Sequence, residues 1–149
     1  MSAALHLAGP DDLDKLLTLR AAFHAEQGMD SSDDQRRAAL APLLEGIPYG
    51  AAYLIGPVRA PIGYIIVTFT WSVELGGLDG MIDEVFIRPA VRGRGIATEV
   101  LYTLPRTLAE AGVRTLHISV DRDNVAATRL YARARFEAQD NTVLLRRTL

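Results

Sequence analysis

The segment from residue 82 to residue 97 constrains the fold of this chain more than any other. It begins as an apolar strand carrying two acids, Asp83 and Glu84, passes through a proline turn, and reaches a loop containing Gly93 and Gly95. A helix is predicted to begin at the end of that loop, so several backbone N–H groups lack an intrahelical partner and converge on one point. The positive end of the helix dipole adds to their field. The segment therefore predicts a strand–loop–helix unit that binds a phosphate group.

The glycines and arginines of the loop favour an anion site. Gly93 and Gly95 lack the β-carbons that would keep an anion away from the backbone, and Arg92 and Arg94 add positive charge. A dinucleotide-binding loop would follow the first strand and would place a third glycine where Thr98 stands. A Walker loop would end in Gly-Lys-Ser/Thr, which this segment lacks. A surface turn with two solvated arginines remains the alternative.

Composition excludes several classes of function. The 149 residues are 49% hydrophobic and 23% charged, which is typical of one folded domain. A net charge of −2 argues against a nucleic-acid binder, and the lack of cysteine excludes disulfides and thiolate chemistry. His6, His24 and His117 are too scattered to predict a metal site. No signal peptide or apolar run of transmembrane length is recognised, so we expect a cytoplasmic protein that binds no membrane, nucleic acid or metal.

Hydrophobic periodicity and turn residues predict one domain over residues 1–149. The predicted helices span residues 11 or 12 to about 28, 31 or 32 to about 45, 95 to 111, and 124 to 134. The predicted strands span residues 3–8, 51–55, 62–70, 81–87, 115–120 and 143–147, with a loop over residues 72–80. This order predicts an α/β or α+β fold with a mixed sheet.

Two residues are expected to disturb helices. Pro105 lies inside the helix after the glycine loop, where it removes a hydrogen bond and crowds the carbonyl of Leu101. A kink or an early break near residues 103–104 is predicted, with the remainder continuing as a second segment. Arg135 follows the last predicted helix where a left-handed residue would end it, so Arg135 must adopt a strained conformation or the helix must end differently.

The loop resembles the Arg/Gln-x-x-Gly-x-Gly/Ala signature of the GNAT superfamily of N-acetyltransferases, and the order of elements is similar over nearly the whole chain. The resemblance implies a mixed, mostly antiparallel sheet of about six to seven strands, with a V-shaped splay between two parallel central strands and four flanking helices. It also implies acetyl-CoA as cosubstrate and a possible homodimer. The residues implied to bind CoA in this region are Val85, Phe86, Ile87, Arg92, Gly93, Arg94, Gly95, Ile96, Ala97 and Thr98.

A second block, residues 117–131, passes from an apolar strand to a helix that starts near Asn124. Asn124 and Tyr131 match an asparagine and a tyrosine of the family. The resemblance implies that Asn124 contacts CoA and that Tyr131 protonates the departing thiolate. A plain helix cap for Asn124 and a core aromatic for Tyr131 remain the alternatives.

Amine acylation requires a base, because an ammonium group is not a nucleophile. Glu84 is favoured as that base, acting through water, with Asp83 as the alternate. Neighbouring residues of a strand point to opposite faces, so only one of the two readily faces the acceptor. A salt bridge or a role at the end of the sheet is the alternative for each.

The acceptor site is expected to involve Phe23, Glu26, Trp71 and Glu74. The run 71–77 ahead of residues 83–87 looks like a GNAT subgroup that acts on small amines or polyamines, with Trp71 offering a cation–π surface. A solvated helix face for Glu26 and a core position for Trp71 are the alternatives. Acetylation of a protein N-terminus or lysine, or a non-catalytic acyl-CoA sensor, also fits these residues.

Overall fold

A computed structural model describes residues 4–149 of the chain. Its elements, in chain order, are β1 (Leu5–Leu7), α1 (Leu13–Gln27), α2 (Asp33–Leu44), β2 (Gly50–Ile55), β3 (Gly63–Ser72), β4 (Gly77–Ile87), α3 (Ile96–Glu110), β5 (Val113–Ile118) and α4 (Val125–Arg133). Short 3-10 turns at Pro10–Asp12 and Pro89–Val91 precede α1 and α3. Of the described residues, 4–119 form one compact unit, and Val120–Leu149 form a second.

The described strands form one mixed sheet in the order β1-β2-β3-β4-β5. The first three pairings are antiparallel, and β4 pairs with β5 in parallel. The predicted mixed sheet, mostly antiparallel with a parallel pair beside it, is therefore confirmed, as are the four helices. The number of strands is five in the described part of the chain, fewer than the six to seven expected.

The core lies between the sheet and the helices α1, α2 and α3. Leu16, Leu40 and Leu54 are almost completely buried on the face covered by α1 and α2, together with Tyr64. Neighbours on β3 alternate between the two faces. Val67, which points away from Tyr64, is buried as well. Apolar residues of α3 at helical spacing are also buried, namely Val100, Leu104 and Leu108.

The start of α2 and the end of α1 lie where the sequence predicted them. The side chain of Ser32 accepts a hydrogen bond from the backbone of Gln35, and the Gln35 side chain bonds back to Ser32, so α2 begins with a capping box. Gly28 ends α1 in the left-handed conformation, with φ of 66°. Asp12 stands at the N-cap of α1, but its carboxylate accepts from Gly9 N–H and not from the first turn of the helix.

Three predictions about elements are wrong. The expected loop over residues 72–80 is mostly strand, since Ser72 pairs with Gly77 across a short hairpin turn. The helix containing Pro105 does not break near residues 103–104, because its buried apolar side chains hold both halves to the sheet. The expected strand over residues 143–147 is not formed, and the side chains of Val143, Leu144 and Leu145 are exposed. High β-propensity does not make a strand without a neighbour to pair with. The part of the first predicted strand at residue 3 lies outside the described residues.

Candidate active site

A β-bulge interrupts β4 at Asp83. On the partner strand β3, Ile66 lies opposite Glu84 and the next residue, Val67, lies opposite Ile82. Asp83 is therefore the extra residue that β3 does not match. Bulges bend a strand and redirect its side chains, and this one lies between the two acids that the sequence singled out.

The bulge is also the place where β4 and β5 separate. Their parallel pairing extends from Leu78 to Ile82 on β4 and ends opposite Ile118. From residue 83 to residue 87, β4 pairs with β3 alone among the described strands. The structure thus agrees with the predicted splay between two parallel strands and places its apex at the acids.

The register shows which backbone groups face the splay. Arg88 N–H donates to the Ile62 carbonyl at 2.8 Å. Hydrogen-bonded and non-bonded pairs alternate along an antiparallel ladder, so the N–H and C=O groups of Phe86 point toward β3 while those of Val85 and Ile87 point away from it. Of the three β4 residues expected to bind CoA, Val85 and Ile87 direct their backbone N–H and C=O groups toward the splay. Phe86 contributes a buried side chain instead.

Charge-assisted hydrogen bonds from two side chains hold Glu84 in place. Arg20 donates from Nε and Nη2 to its two carboxylate oxygens, at 3.0 and 2.8 Å, and the hydroxyl of Tyr64 donates to Oε1 at 2.8 Å. Burial opposes ionisation of Glu84, but the hydrogen bonds from Arg20 and Tyr64 outweigh it, and the pKa lies below its usual value. Glu84 is thus a fixed carboxylate with little basicity.

Asp83 has the opposite character. Its side chain is exposed at the bulge and makes no hydrogen bond with the described residues. Partial burial raises its pKa, and the neighbouring charge of Glu84 raises it further, with Arg20 opposing both. Asp83 is therefore the more accessible of the two carboxylates, and its pKa is shifted upward whereas that of Glu84 is shifted downward.

An aromatic cluster supports this region from α1. The ring of Phe23 lies 5.9 Å from that of Phe86 and 6.4 Å from that of Tyr64, edge to face with the latter. The adjacent His24 is buried, and its Nδ1 lies 2.6 Å from the hydroxyl of Ser31. Phe23 thus packs beside the ion pair of Arg20 and Glu84.

The glycine loop has the geometry expected of an anion site. Gly93 and Gly95 have φ of 78° and 76°, a left-handed conformation that side chains rarely adopt. The N–H groups of Ile96, Ala97 and Thr98 make no hydrogen bond with the described residues, as expected for the first turn of a helix. An added β-carbon at either glycine would meet no atom within 4 Å. The glycines therefore leave an open approach to these donors and to the positive end of α3.

Arg92 is not free to act as a simple phosphate ligand. Its Nη2 lies 2.7 and 2.9 Å from the carboxylate oxygens of Glu26, and its Nε donates to the Ile87 carbonyl at 2.9 Å. The guanidinium also lies over the ring of Phe86. Arg92 thus ties the end of α1 to the loop, whereas the exposed Arg94 has no ion-pair partner among the described residues.

The four expected acceptor-binding residues are not brought together. Phe23 and Glu26 belong to α1, near Glu84 and the loop. Trp71 lies opposite Leu78 at the start of β4, and Glu74 is in the hairpin turn just beyond it. Trp71 is five positions along β3 from Ile66, the partner of Glu84, which corresponds to about 17 Å along the strand. Trp71 is exposed and not a core residue.

In the second unit, α4 carries the other two predicted site residues. Asn124 caps the helix, its side-chain oxygen accepting from Ala127 N–H at 3.1 Å. Tyr131 is half-buried, and its ring meets that of Phe136 edge to face at 5.6 Å. Burial raises the pKa of Tyr131, so its hydroxyl keeps its proton at neutral pH.

Arg20 and Tyr64 are the site residues that sequence reasoning missed. Arg20 was noticed only as one position in the apolar periodicity of α1. A charged side chain in an apolar stripe indicates a buried partner of opposite charge, and this signal could have linked Arg20 to an acid. No local pattern marks Tyr64, which is fully buried in an apolar strand.

Comparison with known proteins assigns the chain to a family. The model of the Acetyltransferase (GNAT) family matches residues 14–136. The chain belongs to the GNAT family. An acetyltransferase of Sodalis glossinidius is 32% identical over 78 residues, covering 50% of this chain and 55% of that protein. The chain thus spans about half the length of the curated relatives it matches.

Solved structures extend the comparison over almost the whole GNAT chain. An integron cassette protein from the mobile metagenome of Cole Harbour Salt Marsh has a TM-score of 0.84 at 31% identity, covering 97% of this chain and 90% of that one. An aminoglycoside acetyltransferase from a soil metagenome, solved with sisomicin, has a TM-score of 0.80 at 15% identity, covering 98% and 95% of the two chains. The second likeness shows the fold alone.

Two further findings concern metal ions and membranes. Among residues 4–149, the His, Asp and Glu side chains form no group of three or more that could hold a metal ion. No helix in the described part of the chain combines the length and the hydropathy needed to span a bilayer.

Proposed function

We propose that this GNAT protein transfers an acetyl group from acetyl-CoA to a primary amine by direct attack in a ternary complex, and that the acceptor is a small cationic amine. The observation that carries the proposal is the coincidence of three features on one strand–loop–helix unit. These are the bulge at Asp83, the backbone groups of Val85 and Ile87 that face the splay, and the open N–H groups at the start of α3.

The residues of the loop suit the diphosphate of acetyl-CoA. The N–H groups from Ile96 to Thr98 supply donors, α3 supplies its dipole, and Arg94 supplies an uncompensated charge. Val85 and Ile87 offer hydrogen-bonding groups for an extended amide-containing arm and for a polarised carbonyl. When bound, acetyl-CoA supplies the activated acyl group. Asn124 is proposed as an additional contact to it.

Asp83 is proposed as the general base. It is accessible, its pKa is raised, and it stands where the two strands part. Glu84, which the sequence alone favoured, is ion-paired and has a lowered pKa, so it suits a positioning role that holds Arg20 and Tyr64 beside the bulge. Tyr131, whose hydroxyl keeps its proton, is proposed as the acid that protonates the leaving thiolate.

The negative charge of the region supports a cationic acceptor. Asp83 forms no ion pair with the residues that the structure describes, and Phe23 places an aromatic surface on the same side of the sheet as Glu84. An ammonium substrate would lose its proton to Asp83 before attack. Of the residues first expected to bind the acceptor, only Phe23 and Glu26 lie near this point, and Trp71 and Glu74 would serve only a longer acceptor.

The Tyr131→Phe variant tests the catalytic assignment against the sensor alternative. We expect it to lower kcat by about 10- to 100-fold while the Kd for acetyl-CoA changes less than about twofold, as measured by steady-state kinetics and calorimetry. Unchanged kcat would remove Tyr131 as the acid. Tight acetyl-CoA binding by the wild-type protein without turnover of any amine or peptide would support a sensor instead.

A further inference from the structure

The face of the sheet that carries Glu84 continues past the bulge as a polar surface. On β3, Ile66 and Thr70 are four residues apart and so point to the same face. Ile66 lies opposite Glu84, and Thr70 lies opposite Asp79. Directly opposed residues share a face of a sheet. Glu84 and Asp79 therefore lie on one face, on opposite sides of the bulge.

Strand β5 completes a cluster around Asp79. Thr115 lies opposite Asp79, and its hydroxyl donates to the Asp79 Oδ1 atom at 2.6 Å. His117 lies two pairs further along, opposite Met81, with its Nδ1 atom 2.8 Å from the same oxygen. The side chains of His117 and Asp79 are 47% and 31% exposed, so solvent reaches both. We name Asp79, Thr115 and His117 the distal cluster.

The free atoms of the distal cluster are hydrogen-bond acceptors. The His117 Nδ1 atom faces Asp79, and in the tautomer that carries its hydrogen on Nδ1 the Nε2 atom is an acceptor. Asp79 Oδ2 receives no hydrogen bond from the described residues, and the carboxylate carries a negative charge. A primary ammonium group, with three N–H donors and a positive charge, is the complement of this arrangement.

The spacing along the sheet sets the size of a ligand that reaches both ends. The partners of Glu84 and Asp79 are four residues apart on β3, which corresponds to about 13 Å. We propose that the distal cluster binds a second ammonium group of the acceptor, so that the preferred acceptor is an elongated diamine or polyamine whose other amine reacts at the bulge. This inference rests on the proposed amine acetylation and names its substrate class.

The test compares two amines of equal chain length. Octylamine carries one ammonium group, and diaminooctane carries one at each end. Calorimetry with the full chain and CoA, which carries no acyl group to transfer, measures the Kd of each amine. We expect Asp79→Asn to weaken diaminooctane binding about tenfold or more while octylamine binding changes less than about twofold. The control Glu110→Gln removes a charge from the exposed end of α3 and should change neither Kd.

Equal losses for the two amines, or no loss for diaminooctane, would overturn the proposal. If Asp79→Asn does not fold, His117→Gln serves as the second variant, with the same selective loss expected. Failure of the distal cluster is distinguishable from failure of the proposed function. Selective diamine binding without acetylation of either amine would support the distal cluster as an ammonium site and contradict the proposed acetyltransferase activity. Equal acetylation of both amines, unaffected by Asp79→Asn, would support the activity and contradict the role of the distal cluster.

Discussion

At the scale of single residues, the two adjacent acids show how the environment assigns different roles. From the sequence, Glu84 was favoured as the base and Asp83 was the alternate. The bulge leaves Asp83 exposed, while Glu84 turns toward Arg20 and Tyr64. Which acid would be paired could not be predicted, because the partners lie 64 and 20 residues away in the sequence and only the packing of α1 on the sheet brings them together.

Asp83→Asn should lower kcat about 100-fold or more by removing the proposed base. Because the base must be ionised, kcat/KM of the wild-type protein should rise with pH through the raised pKa of Asp83 and then level off. The variant should lose this rising limb. The measurement is the pH profile of kcat/KM for both proteins. A limb that persists in Asp83→Asn but disappears in Glu84→Gln would return the base to Glu84.

Arg135 offers a test of local strain. It has φ of 72°, the one positive value found for a non-glycine residue among those described. Its N–H donates to the Ala132 carbonyl and Phe136 N–H to the Tyr131 carbonyl, which completes a Schellman motif. Arg135→Gly should therefore raise the free energy of unfolding by about 0.5–1 kcal/mol.

Urea unfolding of the full chain measures the effect of Arg135→Gly. The control is Arg133→Gly, in the last helical residue of α4, which should lower the free energy of unfolding by about 1 kcal/mol. Loss of stability in both variants would mean that Arg135 is not strained. The need for a left-handed residue at this position was predictable from the sequence, and the structure confirms that Arg135 adopts it.

At the scale of elements, the strand–loop–helix unit was the most predictable part of the chain and the bulge the least. A proline turn and two glycines mark the start of α3 within the sequence itself. The bulge at Asp83 leaves no comparable mark, because it depends on how β3 and β4 pair. Similarly, Pro105 was expected to kink α3 or end it early, but the helix runs unbroken from Ile96 to Glu110, because an apolar stripe buried on both sides of Pro105 outweighs one lost hydrogen bond.

Gly95→Val tests the role of the loop. A β-branched side chain at φ of 76° is strained, and it would also cover the open N–H groups of α3. We expect the Kd for acetyl-CoA to rise at least about tenfold, measured by calorimetry.

The control for that experiment is Gly76→Val in the β3–β4 turn. Gly76 has a similar φ of 64°, and, as at Gly95, an added β-carbon would meet no atom within 4 Å. Gly76→Val should therefore cause backbone strain similar to that of Gly95→Val without changing the Kd for acetyl-CoA. Equal affinities for the two variants would contradict the assignment of the loop.

At the scale of the whole molecule, the class of fold followed from the order of elements, while the last strand did not. The alternation of helical and strand periodicities over residues 11–134 predicted the mixed sheet and its four helices. The segment over residues 143–147 has strand-forming residues, but β-structure requires a neighbouring strand, and local sequence does not report whether one is available.

Acid stability should depend on the Arg20–Glu84 pair that joins α1 to the sheet. Because the folded pKa of Glu84 lies below its ordinary value of 4.5, its contribution is complete above that pH and is lost as the pH falls through the folded pKa. Glu84→Gln should lower the free energy of unfolding by about 3 kcal/mol at pH 7, since it leaves Arg20 without its counter-charge.

The difference between wild-type protein and Glu84→Gln should shrink in strongly acidic solution, where the wild-type carboxyl is protonated as well. Urea unfolding at neutral and acidic pH measures both values. The control Asp14→Asn removes an acid whose side chain is 90% exposed and should cost about 0.5 kcal/mol or less. A difference independent of pH would show that Glu84 acts through packing alone.

The most direct test of the central claim is mass spectrometry of amines incubated with the wild-type protein and acetyl-CoA. The panel contains diamines, polyamines, amino acids, aminoglycosides, arylamines and peptides. The account predicts the mass gain of one acetyl group on a small cationic amine, dependent on protein and on acetyl-CoA. Absence of any acetylated product, together with no measurable binding of acetyl-CoA, would contradict it.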